Sequence, residues 1–215
     1  MVLGLLKREL SLVFKRKHEA FFMITFFVFC GFLFPFALGT APETLSRYGA
    51  GIIWLLTIFT LSLSLRSFFL GDELDGSLDQ LKLQCGNASW VFLLKAVTHC
   101  LILIPLILCS AWILSIAFSI PSSIASWLLG SVAVSLPGFI FISGTISALS
   151  LQTNLPVLVK PLLLFPLYIP LLIFGIGVTE ALLIHQPCLA FFKILIAVSL
   201  LIVVISAFLA GKILE

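Results

Sequence analysis

Charge is what this sequence has least of: twelve Lys plus Arg and nine Asp plus Glu give 10% charged residues in 215, beside 61% hydrophobic residues and a mean hydropathy of +1.28. Soluble proteins carry about 25% charged and about 45–50% apolar residues. A water-soluble fold of this length needs polar side chains to cover its surface, and so few of them exclude it. Alternation is missing as well. The 21 Phe and the long uncharged stretches do not form the alternating segments of about ten residues that build an outer-membrane barrel. Helices are the remaining way to satisfy a backbone in lipid, so the sequence predicts an all-α polytopic membrane protein.

Several chemical signatures are absent too. The five cysteines, Cys30, Cys85, Cys100, Cys109 and Cys188, are scattered singly with no CxxC, no CxxCH and no metal spacing, so neither a disulfide framework nor a metal site is expected. No GxxxxGK[ST] phosphate cradle occurs, so no nucleotide-phosphate site of that kind is expected in this chain. HExxH and GxSxG are missing, Ser143 and Gly144 being preceded by Phe141 rather than Gly, which leaves no catalytic residue to name. The first apolar run has no small-residue cleavage site at its Phe-rich end, so it reads as a retained span rather than a signal peptide.

What is there is a series of long apolar runs. A bilayer core takes about 20 apolar residues per helix, and the gaps between charges give six spans in one membrane domain covering 1–215: about 20–38, 48–70, 91–118, 124–149, 155–178 and 189–211. With the amino terminus in the cytoplasm, Lys7, Arg8, Lys15, Arg16, Lys17, Arg66, Lys82, Lys95, Lys160 and Lys212 lie inside, leaving Arg47 and Lys193 outside. That asymmetry predicts both termini on the cytoplasmic side of an inner membrane. Residues 2–17 place Val2, Leu5, Leu6, Leu10, Val13 and Phe14 on one helical stripe, away from Lys7, Arg8, Lys15 and Lys17. They predict an amphipathic helix over 1–18 in the inner headgroup layer, either packed as an elbow or serving as a basic anchor.

The one dense polar segment is GDELDGSLDQLKLQCGNASW at 71–90, on the cytoplasmic side between spans two and three, with Asp72, Glu73, Asp75 and Asp79. Ser77 with Gln80 three residues on has a capping-box pattern, and Gly76 before it permits a sharp turn. A short helix carrying Leu78 and Leu81 would project there as a docking element. A solvated hairpin whose acids balance nearby lysines is the plainer reading.

Within the spans, Pro166 and Pro170 each remove a backbone hydrogen bond from span five and flank Tyr168, which reads as a hinge or as a static kink. His99 lies in span three, where an ionisable group is by default a functional hypothesis, though it has no charged partner in the sequence pattern. His185, beside Glu180 in an outer loop, reads as an ordinary surface residue or as an iron ligand. Ser143, Gly144, Ser147 and Ala148 recur at helical spacing in span four as a close-packing face.

The acidic turn Asp75, Gly76, Ser77, Leu78 after span two, the run PLYIPLLIFG at 166–175, the six spans and the basic amphipathic start together resemble the heme exporter protein B family (CcmB), over essentially the whole chain. This family supplies the membrane subunit of the ABC-type complex of cytochrome c maturation. The resemblance implies a non-catalytic permease subunit with no resident cofactor, acting in heme delivery or in release of the heme-loaded chaperone. Its implied partners are a cytoplasmic ABC ATPase that binds the ATP, a polytopic subunit that handles the heme, a small single-span subunit and a periplasmic heme chaperone. It further implies that Asp72, Glu73, Asp75, Gly76, Ser77, Leu78, Gln80 and Leu81 dock the ATPase. A permease subunit for a drug, lipid or polysaccharide shares the same general plan.

Overall fold

The computed structural model describes residues 17–64, 68–69, 76, 88–153, 159–184 and 186–214. Within them are six helices: α1 (Lys17–Leu38), α2 (Pro42–Ser64), α3 (Ala88–Ala117), α4 (Ser122–Thr153), α5 (Val159–Leu183) and α6 (Leu189–Leu214). All six are long and apolar enough to cross a membrane, and no strand occurs among the described residues. The protein is a multi-pass, all-helical membrane protein. The amphipathic helix expected over 1–18 lies outside the described residues apart from its last two positions, which belong to α1.

Local chemistry sets the helix ends. Gly39 follows α1 with φ 88°, the left-handed position that closes a helix at little cost only for glycine. Pro42 and Glu43 then open α2, where a missing amide costs nothing and a carboxylate meets the positive end of the helix. The helix therefore starts at Pro42 rather than near Tyr48. The turn between α3 and α4 is built on Ser119 at φ 53°. Its amide donates to the Ile116 carbonyl at 3.0 Å and the Ile120 amide to the Ser115 carbonyl at 3.0 Å, the paired bonds of a Schellman motif. Ile120 is buried, and the Pro121 carbonyl accepts from Ile124 and Ala125 at 2.9 Å to start α4.

The bundle is organised around α4, which packs against α6, α5, α3 and α2 and is the most buried of the six. Its close-packing face is satisfied within this chain: Ser143, Ser147 and Ala148 are buried, and Gly144 is covered by Phe68 and Phe92. On the α6 side, a side chain at Gly138 would press on Leu171 and Ser199. That closeness lets the Ser199 hydroxyl donate to the Val134 carbonyl at 2.7 Å. Further along the same seam the Gln152 Nε2 donates to the Ile213 carbonyl. Small residues let the backbones approach, and in lipid this packing and these polar ties replace the hydrophobic drive.

By contrast α1 packs chiefly on α2 and α3, and Phe21, Phe22, Phe29 and Phe36 point outward. Apolar side chains facing outward are what a lipid-solvated helix requires.

Candidate functional site

The segment that the sequence marks for docking connects α2 to α3. Of its eight candidate residues, Gly76 alone falls among the described ones; Asp72, Glu73, Asp75, Ser77, Leu78, Gln80 and Leu81 lie outside them, as does His185. Gly76 is exposed, with φ 65° and no heavy atom within 4 Å of where a Cβ would sit. This is a left-handed turn in open space, a conformation glycine adopts without steric cost.

The root of that segment is better defined. Phe68 and Phe69, four and five residues past the end of α2, are both fully buried. The Phe68 ring stacks on His99 of α3, centroid to centroid 4.2 Å with 20° between planes. It also lies 6.2 Å from Phe92 and 5.2 Å from Phe69. On its far side is the backbone of α4: a Cβ at Gly144 would stand 2.7 Å from Phe68 Cζ and 2.8 Å from Phe92 Cε2. Phe92 meets Phe141 of α4 edge to face at 5.7 Å, a favoured geometry for two aromatic quadrupoles.

Lys95 closes this cluster. It is 2% exposed, and its Nζ lies 5.6 Å from the Phe69 ring centroid, within reach of a cation–π attraction. Its backbone carbonyl faces His99 Nδ1 at 3.0 Å. Sequence reasoning counted Lys95 only as a charge marking the cytoplasmic end of a span. The overlooked signal was a lysine on the second turn of a helix whose remaining residues are nearly all apolar, a rare placement that by default makes a residue a functional candidate.

The second cluster lies between α4 and α5. Tyr168 is fully buried, whereas Pro166 and Pro170 on either side of it are exposed. The prolines have no amide to give to the carbonyls of Leu162 and Pro166, so α5 lacks two of its backbone bonds while remaining helical through both. What ties the middle of α5 to α4 is the Tyr168 hydroxyl, 2.5 Å from Ser143 Oγ. Ser143 in turn donates to the Phe139 carbonyl at 2.9 Å, so the tyrosine is the donor to the serine. Phe139 packs edge to face on Tyr168 at 4.6 Å and on Trp54 of α2 at 6.3 Å. Trp54 is buried against Gly175, where an added Cβ would overlap its indole, and its Nε1 finds no acceptor among the described residues.

Among the described residues no three His, Cys, Asp or Glu side chains converge as they would to hold a metal ion. His99 stacks on Phe68 with its Nδ1 3.0 Å from the Lys95 carbonyl. The structure instead presents two tightly built junctions, one at the root of the α2–α3 segment and one holding the two-proline helix.

Comparison with known proteins agrees with a membrane subunit of this plan. The family model described as CcmB protein matches residues 1–215. Heme exporter protein B of Haemophilus influenzae is 34% identical over 190 residues, covering 86% of this chain and 84% of that protein. Heme exporter protein B of Pseudomonas aeruginosa is 34% identical over 182 residues, 82% of this chain and 79% of the relative. Its counterpart in Bradyrhizobium diazoefficiens is 30% identical over 214 residues, covering 97% and 94%. With the family pattern spanning every residue and relatives aligned over most of both chains, this protein belongs to the CcmB family.

Proposed function

We propose that this chain is the transmembrane permease subunit of an ABC-type complex that serves heme delivery, or release of a heme-loaded chaperone, in c-type cytochrome biogenesis. The observation that carries the reading is the match to the CcmB family from the first residue to the last. The chain sits in the bacterial inner membrane with both termini cytoplasmic. Supporting this, the ends of α3 and α6 that carry Lys95 and Lys212 lie together, Gly211 resting against Ser89, while Arg47 and Lys193 fall at the opposite ends of α2 and α6.

In this reading ATP is bound and hydrolysed by a separate cytoplasmic ATPase, and heme is handled by the complex rather than by resident ligands of this chain. A heme-handling polytopic subunit, a small single-span subunit and a periplasmic heme chaperone complete the assembly. Asp72, Glu73, Asp75, Gly76, Ser77, Leu78, Gln80 and Leu81 dock the ATPase, the acids pairing with basic side chains and the leucines filling an apolar groove. Closure of the ATPase on nucleotide displaces this segment, and α2 and α3 move with it; Tyr168, between Pro166 and Pro170, is where α5 yields.

Deleting the gene tests the reading. Heme attachment to c-type apocytochromes is expected to be lost while b-type cytochromes persist, and normal c-type holocytochrome would contradict it.

A further inference from the structure

The two junctions are adjacent on α4. Gly144 receives the Phe68 ring, with Phe68 Cζ 2.7 Å from where its Cβ would be, and the preceding residue, Ser143, holds the Tyr168 hydroxyl at 2.5 Å. We infer that Phe68 and Tyr168 are positioning residues of one mechanical route, in which displacement of the segment after α2 is passed through the Ser143–Gly144 step of α4 to the two-proline helix α5. The inference rests on the proposed function, since it assigns that displacement to a docked ATPase.

Three observations support the route. Among the described residues Phe68 lies against the rings of His99, Phe92 and Phe69 and against Gly144 of α4. A close-packed aromatic cannot slide without moving what it touches, because interiors are nearly incompressible. The next element, α4, is packed by four other helices, and its interior proline, Pro137, lies six residues before Ser143, outside the Ser143–Gly144 step. At the receiving end, α5 has lost two backbone bonds around Tyr168 and is the helix least able to resist a pull from its side chain. The hydrogen bond to Ser143 is directional, so a shift of α4 is felt at Tyr168 as force and not merely as loosened packing.

Spatial continuity alone does not establish coupling; a double-mutant cycle does. The whole complex, carrying Phe68→Leu, Tyr168→Phe or both, would be expressed in cells lacking their own copy. Readouts are the ATPase retained on the tagged chain, ATP hydrolysis by the purified complex, and c-type holocytochrome per assembled complex. The route predicts intact assembly, continued hydrolysis, and a roughly 2- to 30-fold lower yield in each single variant. The double variant falls no further than the worse single one. Should Phe68→Leu reduce assembly, the cycle is run with Phe92→Leu, which loosens the same junction and leaves Phe68 in place. Normal yields in the single variants, or losses that multiply in the double, would overturn the route. Wild-type chain that recovers no ATPase would overturn the proposed function together with it, whereas recovery alongside multiplying losses removes the route alone.

Discussion

Gly175 of α5 lies flush against the indole of Trp54 on α2, leaving no room for even a methyl group. Trp54 is fully buried, so the ring cannot swing outward, and overpacking of this kind costs about 1–3 kcal/mol. Gly175→Ala is therefore expected to lower the thermal stability of the detergent-extracted protein. An unchanged melting profile would show that α2 and α5 are not in this contact.

The Tyr168–Ser143 pair should respond asymmetrically to mutation. In Tyr168→Phe the serine keeps its bond to the Phe139 carbonyl, so the loss is one hydrogen bond, about 0.5–1.5 kcal/mol. In Ser143→Ala the buried tyrosine is left with only a long 3.4 Å contact to the same carbonyl. That variant is expected to be the less stable, approaching the roughly 1–3 kcal/mol of a buried unsatisfied group. Equal melting temperatures would contradict the direction of donation.

His99 presents the face of its ring to Phe68. His99→Phe preserves the stack on Phe68 and removes both ring nitrogens, and c-type cytochrome levels are expected to stay within about twofold of wild type, below the scale of a real coupling loss. A large fall at normal protein abundance would mean that the imidazole nitrogens carry chemistry.

At the α4–α6 seam, Ser199→Ala removes the bond to the Val134 carbonyl, which in membrane bundles costs only about 0.6 kcal/mol on average. Ser199→Leu drives four carbons against Gly138 and is expected to prevent stable accumulation. Equal abundance of the two variants in membranes would contradict the close approach there.

How much of this was legible beforehand follows from what charge reports. Gaps between charged residues located all six helices, because the bilayer penalises charge wherever a span must be. The same marker does not report that the helix begins ahead of the span expected from about 48, with Arg47 one turn inside a helix opened by Pro42. It also hid Lys95, which is buried with its Nζ 5.6 Å from the Phe69 ring centroid. The spacing of Ser143, Gly144, Ser147 and Ala148 disclosed a packing face, but not that Tyr168 and Phe68 fill it. Those partners come from other elements, and pairings across 25 residues or more leave no periodic trace in one sequence. The proposed docking residues, Gly76 excepted, lie outside the described residues.

The central claim is that an ATPase docks on the segment between α2 and α3. The chain should be tagged, extracted in mild detergent and analysed for co-purifying proteins, alongside a variant carrying Asp75→Ala and Gly76→Ala. The account predicts that an ABC ATPase and cytochrome c maturation proteins accompany the wild-type chain, and that the ATPase is lost from the variant while membrane insertion is unchanged. Equal recovery of the ATPase on both chains, or no ATPase on either, would contradict it.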